Sequence, residues 1–191
     1  MNTWGIFRKV VKQKLTEEQV AALFVKTTFE SVENGWPLVA EFLNESPYFE
    51  RSPELNADDY GRFLLTVVVA NLQSIPKHFE AGVDRRLVQR ICAKFARAIG
   101  ITNQDFTTKV SGYRSFMKQV NHPSKKLDRG MAKLVLYKYQ LMTFQDPYFS
   151  SMSTPHPQLE KELREMMVHF LWDWEEFVET YRVKAQPQLE A

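Results

Sequence analysis

The chain has 191 residues, with 25 Lys and Arg against 23 Asp and Glu, 44% hydrophobic residues, 7 Gly, 9 Pro and 1 Cys. That length and apolar fraction suit one domain with a sizeable core and exclude a disordered chain; one cysteine excludes a disulfide framework and a cysteine-built metal site. The net charge of +2 hides a partition: residues 1–14 hold 4 basic groups and no acid, 15–76 hold 3 basic and 10 acidic, 77–138 hold 14 basic and 4 acidic, and 139–191 hold 4 basic and 9 acidic. Either acidic and basic helices pack side by side and pair, or a basic face meets an anionic partner.

In chain order, residues 1–15 read as a basic amphipathic helix. Trp4, Phe7, Val11 and Leu15 share one side, with Arg8, Lys9, Lys12 and Lys14 around them. Such a helix either packs as the first helix of a bundle or lies on an anionic membrane surface. No secretory signal is read at the start, so a cytoplasmic protein is expected. Thr16 with Gln19 forms a capping box, and Asn34-Gly35 closes a helix of about 18 residues. Trp36-Pro37 then opens a short helix that Ser46-Pro47 ends. A loop covers residues 46–57, and Asn56 or Asp58 caps a helix through about Leu72. Its Val67-Val68-Val69 favours a strand by propensity. No partner strand is visible, so the segment 57–74 is placed as a buried central helix. The apolar run from Phe63 to Ala70, broken by Thr66, is far short of the ~20 residues that span a bilayer.

The helix from Val83 to Ile99 is the cleanest amphipath. Leu87, Val88, Ile91, Cys92, Phe95, Ala98 and Ile99 share one face, and Arg86, Arg90, Lys94 and Arg97 lie together on the opposite one. Cys92 reads as a core residue, because burial raises a thiol pKa and makes it a poor nucleophile. Thr102 with Asp105 caps a helix to about Asn121, and another covers Leu127 to Phe144. A Pro/Ser loop at 145–157 precedes the last helix, opened by Thr154-Pro155 and running to about Tyr181. Pro-Tyr-Phe occurs at 47–49 and at 147–149, each time after a helix, where the two rings fold back onto the core. On the last helix Leu159, Leu163, Met166, Phe170, Trp174, Phe177 and Tyr181 form an apolar stripe, and Glu165, His169, Asp173 and Glu176 a polar one. Trp172 falls on the polar side, either as an exposed anchor for a partner or as part of a second packing surface. The chain lacks the paired Glu-x-x-His of bundle metal sites, so no metal ligand is singled out.

Two segments resemble known families. Lys94 to Tyr113 resembles the repressor-type helix-turn-helix: Ala96 in the first helix, Gly100 in the turn, Phe95, Ile99 and Ile101 around them, and Phe106 in the second helix. The resemblance implies a DNA-binding regulator whose second helix puts Asn103, Gln104, Thr107, Thr108, Lys109 and Ser111 at a groove. Lys109 departs from the pattern, standing where it wants an apolar residue, and Val110 arrives one place late. The run from Arg62 to Phe106 is similar in rhythm to the middle helices of globins, with Phe95 at the place of the haem-ligating histidine. That likeness implies a haem-free sensor or carrier of an apolar ligand, a role suited to 14 Phe and 7 Met.

The expected architecture is a single all-α domain over residues 1–191, a helical bundle of about seven or eight helices. The expected function is a non-catalytic regulatory or adaptor protein. Its anionic partner, an acidic protein surface or a membrane, docks on Arg86, Arg90, Lys94 and Arg97, with Trp172 as a further anchor. A nucleic acid, an apolar small ligand and a second copy of the chain are the alternative partners. No G-x-S-x-G elbow, P-loop or dinucleotide glycine pattern appears, so no catalytic residue and no cofactor is assigned.

Overall fold

A computed structural model describes residues 12–184. Two short strands, β1 (Gln13–Thr16) and β2 (Tyr181–Lys184), open and close the described chain and pair in parallel. Between them lie α1 (Glu17–Asn44), α2 (Gly61–His78), α3 (Val83–Ala98), α4 (Asn103–Asn121), α5 (Leu127–Lys138), α6 (Pro147–Ser151), α7 (Pro157–Met167) and α8 (Trp174–Thr180). Short 3-10 turns stand at Leu141–Phe144 and Val168–Phe170. The architecture is an all-α helical bundle with one two-stranded ribbon among the described residues. No described helix is long and apolar enough to cross a membrane.

The centre of the bundle is α2, which touches α1, α3, α4, α5 and α8. Phe63, Leu64, Val67, Val68, Val69, Ala70, Leu72 and Ile75 are all buried, so this helix is apolar nearly all round. A helix enclosed on every side needs no polar face, and packing overrides the strand propensity of its valines. Its start is capped from afar. The Tyr139 hydroxyl donates to Asp59 O at 2.7 Å and accepts from Phe63 N–H at 3.2 Å. Asn56 does not cap α2; its Oδ1 accepts from Asp58 N–H at 2.8 Å within the loop.

Several expected boundaries move, each for a visible reason. α1 runs unbroken through Asn34-Gly35-Trp36-Pro37 to Asn44, where two helices were expected. Trp36 is fully buried in line with Val32, Val39, Ala40 and Leu43. Its ring lies 4.6 Å from that of Tyr139 and its Nε1–H donates to Asn56 O at 3.0 Å. That continuous buried face outweighs the hydrogen bond that Pro37 removes. Gly35 serves a close approach instead of a helix end, since a Cβ there would overlap the Phe170 ring. The helix expected to reach Phe144 stops at Lys138, and Gln140 follows in the left-handed region at φ 57°. The loop at 145–157 contains the short α6. Of the two Pro-Tyr-Phe segments only the first folds back fully: Phe49 is buried and Tyr48 half-buried, whereas Tyr148 is 64% exposed.

The largest correction concerns the last helix, expected to be continuous to Tyr181. It ends at Met167, and Asn71 of α2 takes over the backbone beyond it. The buried Asn71 side chain donates from Nδ2 to Phe170 O at 2.9 Å and accepts at Oδ1 from Trp172 N–H at 2.7 Å. Trp174 Nε1–H donates to Asn71 O at 3.3 Å, and Asp173 caps α8 by accepting from Glu176 N–H at 2.8 Å. A buried amide that can donate and accept satisfies two groups that a helix would otherwise pair. The polar stripe of Glu165, His169, Asp173 and Glu176 is therefore broken up, with Glu165 on α7, His169 in the 3-10 turn, Asp173 capping α8 and Glu176 within it.

At the other end, the expected helix over residues 1–15 falls largely outside the described residues. The part inside is extended: Gln13 to Thr16 form β1, because β2 supplies the ladder partners that a local helix would have supplied.

Candidate functional site

Three of the four cations on the basic face of α3, Arg86, Arg90 and Lys94, are half-buried against the start of α1. Glu17, fully buried at the start of α1, receives Arg86 in a two-nitrogen grip, with Nε at 3.0 Å and Nη2 at 2.8 Å from Oε1. Arg90 reaches both Glu17 at 3.4 Å and Glu18 at 3.3 Å, and Lys94 pairs with Glu18. The Lys94 hydrogen bond, with Arg90 beside it, lowers the Glu18 carboxyl pKa. Hydrogen-bonded Glu17 raises that of the Arg86 guanidinium. Such a fork against a buried carboxylate is the favourable geometry for arginine. Arg86, Arg90 and Lys94 thus hold α3 against α1, and the acidic and basic blocks neutralise each other here. Arg97 is exposed, without an ion pair among the described residues. The basic block meets the last acidic block as well, through Arg129–Glu160 at 2.6 Å and Asp128–Arg164 at 2.8 Å.

Trp172 does not protrude. Half-buried in the segment before α8, its ring lies 5.2 Å from that of Phe24 and 5.4 Å from that of Trp174. The expectation of an exposed anchor fails because the helix it required has ended five residues earlier.

The structure brings a different set of cations together. In the parallel ribbon Lys14 stands opposite Arg182 and Thr16 opposite Lys184. Side chains alternate along a strand, so Lys14, Arg182 and Lys184 project from one face, and Lys12, just before β1, lines the same groove. Leu15, Tyr181 and Val183 alternate onto the other and pack on the core. The four cations are exposed. Among the described residues none of them has a carboxylate partner. They border a groove of about 810 Å³ whose further walls are His78, Phe79 and Val83, with Glu80 its one acidic lining residue. Lys12 Nζ donates to Val178 O, which ties β1 to the end of α8. Arg182 and Lys184 were not singled out from the sequence. The signal was present, as cation and apolar residue alternate through Tyr181-Arg182-Val183-Lys184, but four residues are too few to name a strand without its partner.

The α3–α4 hairpin has the ordinary parts of a helical turn. Gly100 sits at φ 73°, Ile101 N–H donates to Ala96 O at 3.0 Å, and Thr102 Oγ1 accepts from Asp105 N–H at 3.0 Å. Phe106, Val110 and Met117 are the buried apolar residues of α4 and set its phase. Asn103, Gln104, Thr107, Thr108, Lys109 and Ser111 are all exposed. The Thr107 and Thr108 hydroxyls bond back to the carbonyls of Asn103 and Gln104.

Phe95 is fully buried, its ring 5.3 Å from Phe29 and 5.6 Å from Phe106. Those two neighbours also line an apolar groove of about 660 Å³ with Leu64, Leu65, Ile99 and Ile101, rimmed by Glu33 and Lys109. Cys92 is buried, and desolvation pushes its thiol up to about 11. Among the described residues no group of three or more His, Cys, Asp and Glu is placed to hold a metal ion. In comparisons with known proteins, no family model, no curated protein and no solved structure matches this chain.

Proposed function

We propose that the protein is a non-catalytic regulatory or adaptor protein that docks an anionic partner at the basic groove between the β1–β2 ribbon and the end of α2. The partner is an acidic protein surface or an anionic membrane. One observation carries this reading: Lys12, Lys14, Arg182 and Lys184 are exposed around one groove with no carboxylate among the described residues to pair them. Like charges held side by side repel, and a groove concentrates their field, so an anion arriving there relieves the repulsion. Arg86, Arg90 and Lys94 are already engaged by Glu17 and Glu18, which leaves the ribbon the better candidate.

The test is charge reversal at Lys14, Arg182 and Lys184 together. Wild type is expected to bind phosphatidylserine vesicles or a poly-glutamate peptide, and to release it as salt is raised. The reversed variant is expected to bind neither while keeping its circular dichroism, because all three side chains are exposed. Binding that survives the reversal, or wild type that ignores both probes, refutes the proposal; which probe binds tells membrane from protein.

A second reading has an observation of its own. The exposed polar turns of α4, from Asn103 to Lys109, are continued by exposed Arg114 and Lys118. If α4 meets DNA, gel shifts at two salt concentrations show a steep salt slope that Lys109→Glu reduces and ribbon reversal does not.

A further inference from the structure

A groove of about 660 Å³ opens between α1 and α7, on a different part of the surface from the basic ribbon. Phe170 lies against Gly35 in its lining, a contact only glycine permits. The floor is apolar, built from Leu38, Met166 and Phe170. Leu38 is 61% exposed on a helix whose other apolar residues are mostly covered, and an uncovered leucine on a groove floor marks a surface suited to contact. The walls carry carboxylates on both sides, Glu30 beside neutral Ser31 and Asn34 on α1, and Glu162 and Glu165 on α7 with His169 after them. Hydrogen bonds from Gln158 Nε2 at 2.8 Å and the Tyr48 hydroxyl at 2.9 Å keep the Glu162 carboxyl below its ordinary range, hence charged. Lys26 lies 3.7 Å from Glu30 with both side chains well exposed, too loose a pair to cancel the wall, and Glu165 has no ion pair among the described residues.

We propose that this groove docks an amphipathic helix of a partner protein, one whose apolar stripe is flanked by Lys and Arg. A helix laid between two others places apolar side chains at i, i+3, i+4 and i+7 on the floor and turns both flanks toward the walls. Here each flank meets carboxylates, so the cations must stand on both sides of the stripe. The same acids repel a phosphate backbone, an anionic lipid or a fatty acid. Independent of the basic groove, this site would let one molecule join an anionic and a cationic partner.

The experiment titrates the full-length protein into a labelled designed peptide, a Leu stripe flanked by Lys, and into its counterpart with Glu at every Lys position. Fluorescence anisotropy is expected to show saturable binding of the Lys peptide alone. Leu38→Asp should weaken it about tenfold or more, the effect of 1.4 kcal/mol. Glu165→Lys should weaken it and flatten its salt dependence. Both side chains are exposed, so the urea midpoint checks that folding is intact. Equal binding of the two peptides, no binding of the Lys peptide, or indifference to Leu38→Asp overturns the proposal. So does self-association in sedimentation velocity that Leu38→Asp abolishes, which assigns the groove to a second copy. A gain of about threefold or more in peptide affinity on Arg8→Glu with Lys9→Glu also overturns it, assigning the groove to the chain's own first residues.

Discussion

Replacing Asn71 by Leu removes the amide that holds the segment between α7 and α8 while keeping the branched shape of the side chain, at a somewhat larger volume. Two bonds to that segment are lost, from Nδ2 to Phe170 O at 2.9 Å and from Trp172 N–H to Oδ1 at 2.7 Å. The bond to Val67 O at 3.0 Å lies within α2, where the carbonyl keeps its helical partner, and the Trp174 indole bonds the Asn71 main chain, which stays. Leaving a buried donor or acceptor unpaired costs about 1–3 kcal/mol each. The two together give a loss of about 2–6 kcal/mol, less whatever water regains at the half-buried Phe170 and Trp172. For a domain of this size, at about 2–4 °C per kcal/mol, that is a fall in Tm of roughly 4–24 °C. Urea unfolding followed by tryptophan fluorescence is the assay, because Trp172 and Trp174 lie 5.4 Å apart beside the site and report on its packing. An unchanged midpoint with an unchanged slope would show that Asn71 does not hold the break, and the explanation of why the last helix ends at Met167 would be wrong.

Other outcomes follow from the same geometry. Arg86→Met leaves the fully buried Glu17 short of its closest partner, so its urea midpoint should fall well below that of Arg97→Met, an exposed control. Gly35→Ala gains ~1 kcal/mol in helix propensity but forces the Phe170 ring to move at ~1–3 kcal/mol, so a net loss in thermal unfolding is expected. The Glu18 carboxyl is lowered by Lys94 first and Arg90 next, so its stabilisation is present above the usual carboxylate range and disappears as pH falls through the depressed value. The stability gap between wild type and Glu18→Gln should therefore close in acid. For Cys92 the sign is opposite. Its thiol ionises near 9.0 when unfolded and about 11 when folded, so the folded state loses stability across that interval, and Cys92→Ala should show a flatter decline in urea midpoint between those two pH values.

The parts of the fold legible in the sequence are those whose causes are local. Thr16 with Gln19 and Thr102 with Asp105 act over three residues, and both caps form. The α3 amphipath shows its phase within one helix, and Leu87, Ile91, Cys92 and Phe95 are buried as that phase requires, although Ala98 and Ile99, expected on the same face, are exposed where the helix ends. The centrality of α2 followed from its run of buried-type valines with no second strand to pair it, and all three valines are buried. What the sequence could not decide was which partner each charged or polar group meets. Arg86 and Glu17 are 69 residues apart and Asn71 and Trp172 are 101 apart, so neither the covering of the α3 arginines nor the break after Met167 has a local signature. Lys12 and Lys14 were visible as cations, but their union with Arg182 and Lys184 needed β2.

Composition and periodicity therefore determined that this chain is an all-α bundle with segregated charge. Tertiary structure decided which of those charges are consumed in holding helices together and which are left at the surface. The reason is physical: a cap or a helical face is fixed by neighbours within a few residues, whereas an ion pair or a strand ladder depends on where the rest of the chain has folded.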